Sequence, residues 1–475
     1  MSGALRIAIV GNGLTAQLAA VRLAQALGQG ETIVRVATAV RDHGLGPFGD
    51  GLVALPDWHH GAVGERLRRA PAPAHQSFSF GIAFEGFAQA GQSWLLPFGE
   101  TGAPIGTVAF HQLAARLRAV GRTVRLADYS LAAMAAQAER FALPSDDPRS
   151  PLATLGFATH LSADALSSLL TKQADSAGCR SAPAPLREIE VADDRIASLT
   201  LADGSAVDAD LYVDCTGDAA LLIGDALHRP FESWKRWLPC DRVAVRIEQE
   251  DRLPPPYAWH SAHDRGWTTV TPLAGMRATA TASVADLPDA RRFENGTRRS
   301  AWHGNCVAIG ASAGVIEPLF GTPLLSATRA LDRLAALLPH APQSTVEARE
   351  FNRLTSSEAD RIRDIVIALY KTNCRVGEPL WDQARAMDVP DALARKLDLY
   401  NSRGIVPIDD DESFDSPDWI ALFDGQGIRP RRIDPLAAAI ADADILAHFA
   451  RLREVLIDAV RGMPPHAAAL KRIHT

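Results

Sequence analysis

The stretch that most restricts the fold lies near the N-terminus. An apolar run, Leu5 to Val10, interrupted only by Arg6, passes directly into Gly11-Asn12-Gly13-Leu14-Thr15-Ala16 and then into a helical pattern lasting through Leu27. A buried strand, a glycine turn and a helix in that order open a dinucleotide fold. Gly11 permits the tight turn, Gly13 lets the backbone approach a pyrophosphate, and the small Ala16 lets helix and strand pack closely. The helix N-terminus then offers free N–H groups and a positive dipole end to phosphate. A β-branched run, Thr32 to Val36, follows at βαβ spacing, so two parallel strands joined by a crossover are expected. The carboxylate that ordinarily accepts the ribose hydroxyls is missing, because the chain reads Val36-Ala37-Thr38. Arg35 or Arg41 is left to contact a phosphate, or simply solvent.

Composition narrows the class. The chain has 475 residues, 49 Lys+Arg against 56 Asp+Glu and a formal charge of −7, which excludes a strongly basic nucleic-acid binder. Hydrophobic residues at 47% suffice for a large core, enough for two to three domains or one large nucleotide-binding domain with insertions. The five cysteines, Cys179, Cys215, Cys240, Cys306 and Cys374, are scattered without a C-x-x-C pair, which suits a reducing cytosol. Neither a signal-peptide core nor an 18-residue apolar span is seen, so a cytoplasmic protein with no membrane insertion is expected.

Between Arg41 and Gly106 the density of Gly, Pro and aromatics predicts long loops roofing a ligand rather than regular elements. Arg195 to Leu201, Asp203-Gly204 and Ala206 to Asp214 read as a hairpin whose second arm continues into a buried strand ending at Thr216-Gly217. A third apolar strand, Cys306 to Ile309, ends at Gly310 and leads to a helix containing Leu324, Leu325, Ala330 and Leu331. Thr355 and Glu358 form a capping box before Ile362, Ile365, Val366 and Leu369, and a helical layer is expected to follow. The acidic run Asp409 to Glu412 and the cluster Arg429, Arg431, Arg432 read as solvated loops.

Other motifs carry less. Gly310-Ala311-Ser312-Ala313-Gly314 matches a hydrolase elbow, for which His340, His448 or His466 would have to act as base, but small residues packed against a cofactor explain it better. His59-His60 and the scattered acids give no metal-ligand spacing, so no metal site is expected. Trp234, Trp237, Trp259 and Trp267 are core fillers or a platform for an aromatic ligand.

Several stretches taken together resemble the flavin-dependent tryptophan halogenase family. They are Ile7 to Ala16, Trp94-Leu95-Leu96-Pro97-Phe98-Gly99, Ala209 to Gly217, Trp237-Leu238-Pro239-Cys240-Asp241-Arg242, Gly304 to Gly310, Glu317-Pro318-Leu319, and Gly425-Gln426-Gly427-Ile428-Arg429-Pro430, in the family's order from end to end. The resemblance implies an α/β fold: a Rossmann-like FAD-binding domain of the aromatic hydroxylase type with inserted β-hairpins and a C-terminal helical portion. The expected division is 1–345 for the FAD-binding domain with inserted substrate-side segments and 346–475 for the helical portion. It implies FAD, supplied reduced by a partner flavin reductase, with Gly11, Gly13, Leu14, Thr15, Ala16, Ala37, Thr216, Gly217, Gly310, Thr322, Pro323 and Leu324 along it. It further implies an aromatic substrate, with Ala83, Trp94, Trp267 and Phe320 at its pocket.

In that family oxygen and reduced flavin give a flavin hydroperoxide, halide attacks it, and the hypohalous acid travels to a lysine that, with a glutamate, directs halogenation. The lysine position corresponds to Ala83 in Phe80-Gly81-Ile82-Ala83-Phe84-Glu85, and no lysine precedes Lys172. An alanine offers no hydrogen bond to hypohalous acid. The glutamate position, after Glu317-Pro318-Leu319, is Phe320. The halide turn reads Gly321-Thr322-Pro323, and proline has no N–H to donate. A W-x-W-x-I-P stretch is reduced to Trp267-Thr268-Thr269-Val270-Thr271-Pro272, and a glycine-rich flavin segment is replaced around Phe48-Gly49-Asp50-Gly51. Glu317 reads as a buttress of its turn. The scaffold is thus kept and the halide-handling groups are not. Three readings follow: a flavoprotein that oxidises or hydroxylates an aromatic substrate, a noncatalytic flavin- or aromatic-ligand-binding protein, and a halogenase with a rearranged site.

Overall fold

The computed structural model describes residues 5–27, 31–39, 45–67, 70, 72–338 and 345–474. Arg41 and His340 lie outside the described residues. The chain divides into two compact units, each assembled from three stretches: 1–75, 161–248 and 278–360 in the first, and 76–160, 249–277 and 361–475 in the second.

The first unit is built on a six-stranded sheet. Strand β1 (Arg6–Val10) lies between β2 (Thr32–Val36) and the strand Leu211–Asp214, and both neighbours are parallel to it, with Ile7 opposite Ile33 and Leu211. The strand Cys306–Ala308 extends the parallel set beyond Leu211–Asp214. The pleat sends alternate residues to opposite faces. Ile7 and Ile9 therefore join Leu18, Val213, Ile309 and Leu331 in one apolar core, while Ala8 and Val10 join Tyr212, Leu199 and Leu201 in another. Helix α1 (Leu14–Ala26) packs Leu14, Leu18 and Leu23 into the first of these cores. Three of the parallel strands, though not β2, run into a glycine of positive φ: Gly11 at 143°, Gly217 at 69° and Gly310 at 69°. The fully buried carboxylate of Asp214 ties the two later turns together. It accepts hydrogen bonds from Thr216 Oγ1 (2.6 Å), Ile223 N (2.9 Å) and Ser312 Oγ (3.1 Å).

Several sequence expectations change here. The hairpin at Asp203-Gly204 exists, but its second arm is only Ala206–Val207, and Leu211–Asp214 belongs to the other sheet. The longer partner of Arg195–Leu201 is Leu186–Ala192, whose mostly exposed residues gave little apolar pattern. Thr355 caps nothing, because one helix runs from Val346 to Lys371. Glu358, 3% exposed, instead accepts from Arg329 (3.0 Å) and Arg333 (2.6 Å). Ser312 is no exposed nucleophile: it is buried, and its hydroxyl partners are Asp214 and the Gly217 carbonyl rather than an imidazole.

In the second unit the strands Gly266–Leu273, Ala258–His263, Gly81–Glu85 and Ser93–Pro97 are hydrogen-bonded neighbours in that order. Ala83 is opposite Trp259 on one side and Leu95 on the other. The region expected to be loops thus contains the strands Gly51–Ala54, Ser77–Ser79, Gly81–Glu85 and Ser93–Pro97 and the short helix Ala62–Leu67. Ile82 and Phe84 are wholly buried, which gives these short segments their hold. A core of Phe78, Phe80, Phe141, Leu456, Val460 and Met463 joins strands to helices, with Phe78 stacked on Phe141 at 4.1 Å.

The C-terminal stretch is helical, including Asp391–Arg403, Ser416–Gly425 and Asp442–Gly462. Its charges are not merely solvated. Lys396 and Glu412, with side chains 2% and 4% exposed, pair at 2.5 Å, and Asp409 pairs with Arg395. Burial of both charges in one pair offsets desolvation that either alone would not bear. Among the described residues no helix is long and apolar enough to cross a membrane.

Candidate functional site

The first unit presents a cradle for a dinucleotide. Gly11 N donates to Val36 O at 3.0 Å, and a Cβ on Gly11 would stand 2.3 Å from the Cys215 carbonyl oxygen, so only glycine lets this turn close against the neighbouring strand end. Gly13 is the N-cap of α1 and supplies no side-chain cap, so the helix turns its positive dipole end toward an anion there. Gly310 comes equally close, with a Cβ there 3.0 Å from the Thr15 side chain. A second uncapped helix N-terminus in the same unit begins at Thr322, after Gly321 at φ 69°. Thr322 and Leu324 are buried there, and Pro323 between them carries no N–H.

The end of β2 is organised differently from a carboxylate-bearing ribose site. Asn12 Nδ2 donates to Thr38 O and Thr38 N donates to Asn12 Oδ1, both at 2.6 Å, while Ala37 is exposed beside them. Arg35 does not reach toward a ligand phosphate. It is buried and bound to Asp175, Gln17 Oε1 (2.9 Å) and Ser181 Oγ (2.9 Å). These residues fit FAD through backbone donors and close glycine approach, with one anchor fewer at the ribose.

The second unit contains a cavity of about 610 Å³. Its apolar wall includes Ala83, Trp94, Pro97, Phe110, Leu126 and Ile420. Trp94 stacks on Phe84 at 4.5 Å, and Phe110 on Phe449 at 4.4 Å, so both aromatic walls are held from behind. The polar wall is formed by Arg118, Asp424 and Arg429. Arg118 binds Asp424 bidentately (2.6 and 3.2 Å) and the Val124 carbonyl (2.6 Å), and Arg429 reaches the same carboxylate at 3.1 Å. His111 also lines the cavity, and burial pushes its pKa below the usual histidine value. A second cavity, of about 550 Å³, shares Ala83, Ser93 and Tyr257 with the first and adds Trp259. No lysine lines either one among the described residues.

The residues singled out from the sequence are placed as follows. Ala83 and Trp94 line the larger cavity. Trp267 is fully buried in its strand and is not among the residues lining that cavity. Trp234 and Trp237 are buried in the first unit, as is Phe320. Glu317, wholly buried, accepts from Asn295 Nδ2 at 3.0 Å, which fits the buttress read from sequence. Sequence reasoning missed Phe110, His111, Arg118, Asp424 and Ile420. Only the Gly-Gln-Gly-Ile-Arg-Pro stretch signalled this wall: Gly425 and Arg429 line the cavity, and Pro430 is the residue a Cβ on Gly404 would strike, at 2.9 Å.

Comparison with known proteins gives the family. The family described as tryptophan halogenase matches residues 6–282 and 273–442. The structure of BrvH, a flavin-dependent halogenase from Brevundimonas sp. BAL3, superposes with a TM-score of 0.91 at 31% identity, over 99% of this chain and all (100%) of that one. Tryptophan 6-halogenase SttH of Streptomyces toxytricini is 26% identical over 349 residues, 66% of this chain and 66% of that one. The 7-chloro-L-tryptophan 6-halogenase KtzR of Kutzneria sp. (strain 744) is 24% identical over 441 residues, 83% of this chain and 84% of that one. The chain belongs to the tryptophan halogenase family, a membership that implies FAD as its cofactor, reduced by a separate flavin reductase.

Proposed function

We propose that this chain is a flavin-dependent oxidoreductase that hydroxylates an aromatic, indole-like substrate in the cavity of about 610 Å³, and that it does not halogenate by the lysine and glutamate route of its family. The observation that carries this reading is Ala83 in the cavity wall: a methyl group stands where the family's route needs an amine. Phe320 and Pro323 add to it, since neither side chain offers a proton acceptor and Pro323 has no N–H for a halide.

The dinucleotide would be held by the turn from Gly11 to Ala16, by Thr216, Gly217 and Gly310, and by the backbone at Thr322 and Leu324. FAD bound there in its reduced form would supply the two electrons needed for one atom of O2 to enter the ring and the other to leave as water. The chain's own contribution is to bind and aim the ring. Trp94 and Phe110 give flat apolar contact, and Ile420 and Leu126 keep water from the ring. The Arg118, Asp424 and Arg429 cluster holds the polar wall, two guanidiniums sharing one carboxylate.

Likeness to BrvH favours a second reading, a halogenase whose site is rearranged. The noncatalytic reading is separated by product formation. Purified protein is incubated with FAD, a flavin reductase, NADH, oxygen and indole, with and without bromide. Hydroxyindole formed equally in both supports the proposal, bromoindole formed only with bromide supports the second reading, and no product alongside measurable indole binding supports a noncatalytic role.

A further inference from the structure

We infer that His111 is the hydrogen-bond acceptor that recognises a donor on the aromatic substrate, an indole N–H or a phenol O–H. The inference rests on the aromatic-substrate reading above and extends it to the substrate's polar edge.

His111 is the second residue of the helix Phe110–Ala119 and lines the cavity beside Phe110. The stacking of Phe110 on Phe449 fixes the start of that helix. His111 Nε2 lies 2.8 Å from the Gly404 carbonyl oxygen, which only accepts, so Nε2 carries the proton and donates. Gln112 Nε2 donates to the same carbonyl at 3.1 Å and to Arg403 O at 2.9 Å, which holds the acceptor in place. Gly404 takes φ 69°, and a Cβ there would stand 3.0 Å from the Gln112 amide, so this contact needs glycine.

With Nε2 committed, Nδ1 keeps its lone pair, and it has no hydrogen-bond partner among the described residues. Burial opposes the charged form of the ring, outweighing the Gly404 bond and the fields of Asp424 and Asp434. The imidazole is therefore a neutral acceptor whose tautomer is set from behind. The aromatic wall contributes area, while His111 contributes a direction. A ligand that brings a donor completes the bond, and an isostere without one leaves the acceptor unmet.

Indole and benzofuran differ mainly in N–H against O, and their affinities are measured by calorimetry on the full-length protein. The wild type is expected to bind indole about tenfold more tightly than benzofuran. His111→Phe and His111→Met are expected to bring the two ligands within about twofold, mainly by weakening indole. A wild-type ratio near one overturns the inference whether or not either variant folds. A preference that survives in a folded variant overturns it too. Binding of neither ligand to the wild type removes the aromatic-substrate reading as well, so the two failures are distinguishable.

Discussion

Gly425 lies against the indole of Trp94 so closely that a methyl at position 425 would come within 2.2 Å of the ring's Cδ2. Trp94 is thereby held between the end of the helix Ser416–Gly425 and the ring of Phe84. The wall of the aromatic cavity depends on a residue having no side chain. Gly425→Ala keeps an accessible backbone conformation, so its effect is steric: Trp94 must move into the cavity or the helix must retreat. A loss of about 1–3 kcal/mol in unfolding free energy is expected, together with at least about tenfold weaker indole binding. Thermal unfolding and indole titration of the same sample check both.

At the flavin end the two opposite changes are Gly11→Ala and Ala37→Glu. The first places a Cβ 2.3 Å from the Cys215 carbonyl oxygen at φ 143°, where backbone rather than a flexible side chain must yield. FAD uptake should be abolished, with stability lost by about 3 kcal/mol or more. The second adds a carboxylate at an exposed position at the end of β2, where ribose hydroxyls would donate to it, and should tighten FAD about three- to tenfold. Quenching of FAD fluorescence on titration reads both.

Acid should weaken the fold through two buried imidazoles. His160, wholly buried, is pushed down to about 3, chiefly by burial, and His466 to about 4 by the same cause. Both bind a proton more weakly folded than unfolded. Stability is therefore full above about pH 6.5 and falls as pH drops through the window to about 4 for His466 and about 3 for His160, at about 1.4 kcal/mol per pH unit for each. His160→Asn offers an amide in place of the Nδ1–H that faces the Pro272 carbonyl at 3.1 Å. It should flatten the slope of melting temperature between pH 6.5 and 4.5 relative to the wild type.

What was legible in the sequence was local. Gly11, Gly217 and Gly310 announce their turns because a strand feeding a positive φ leaves few other residues possible. What was not legible depends on partners distant in sequence. Thr355 and Glu358 have the spacing of a cap, yet the helix around them begins at Val346, and Glu358 is engaged by Arg329 and Arg333. Glu412 looks like part of a solvated acidic run until Lys396 is brought to 2.5 Å. The same holds for the candidate site. Trp94 and Ala83 were within reach of motif reasoning, but Arg118 meets Asp424 across 306 positions of chain, and no periodicity encodes that meeting.

The cavity beside Ala83 is proposed to bind an aromatic ring without the means to halogenate it. The most direct measurement is mass spectrometry of indole turned over by the pure protein with FAD, a flavin reductase, NADH and oxygen, in bromide and in bromide-free buffer. The expected result is the same oxygenated indole in both buffers and no brominated product. Bromoindole formed in proportion to bromide, at the rate of a lysine-bearing relative, would contradict it.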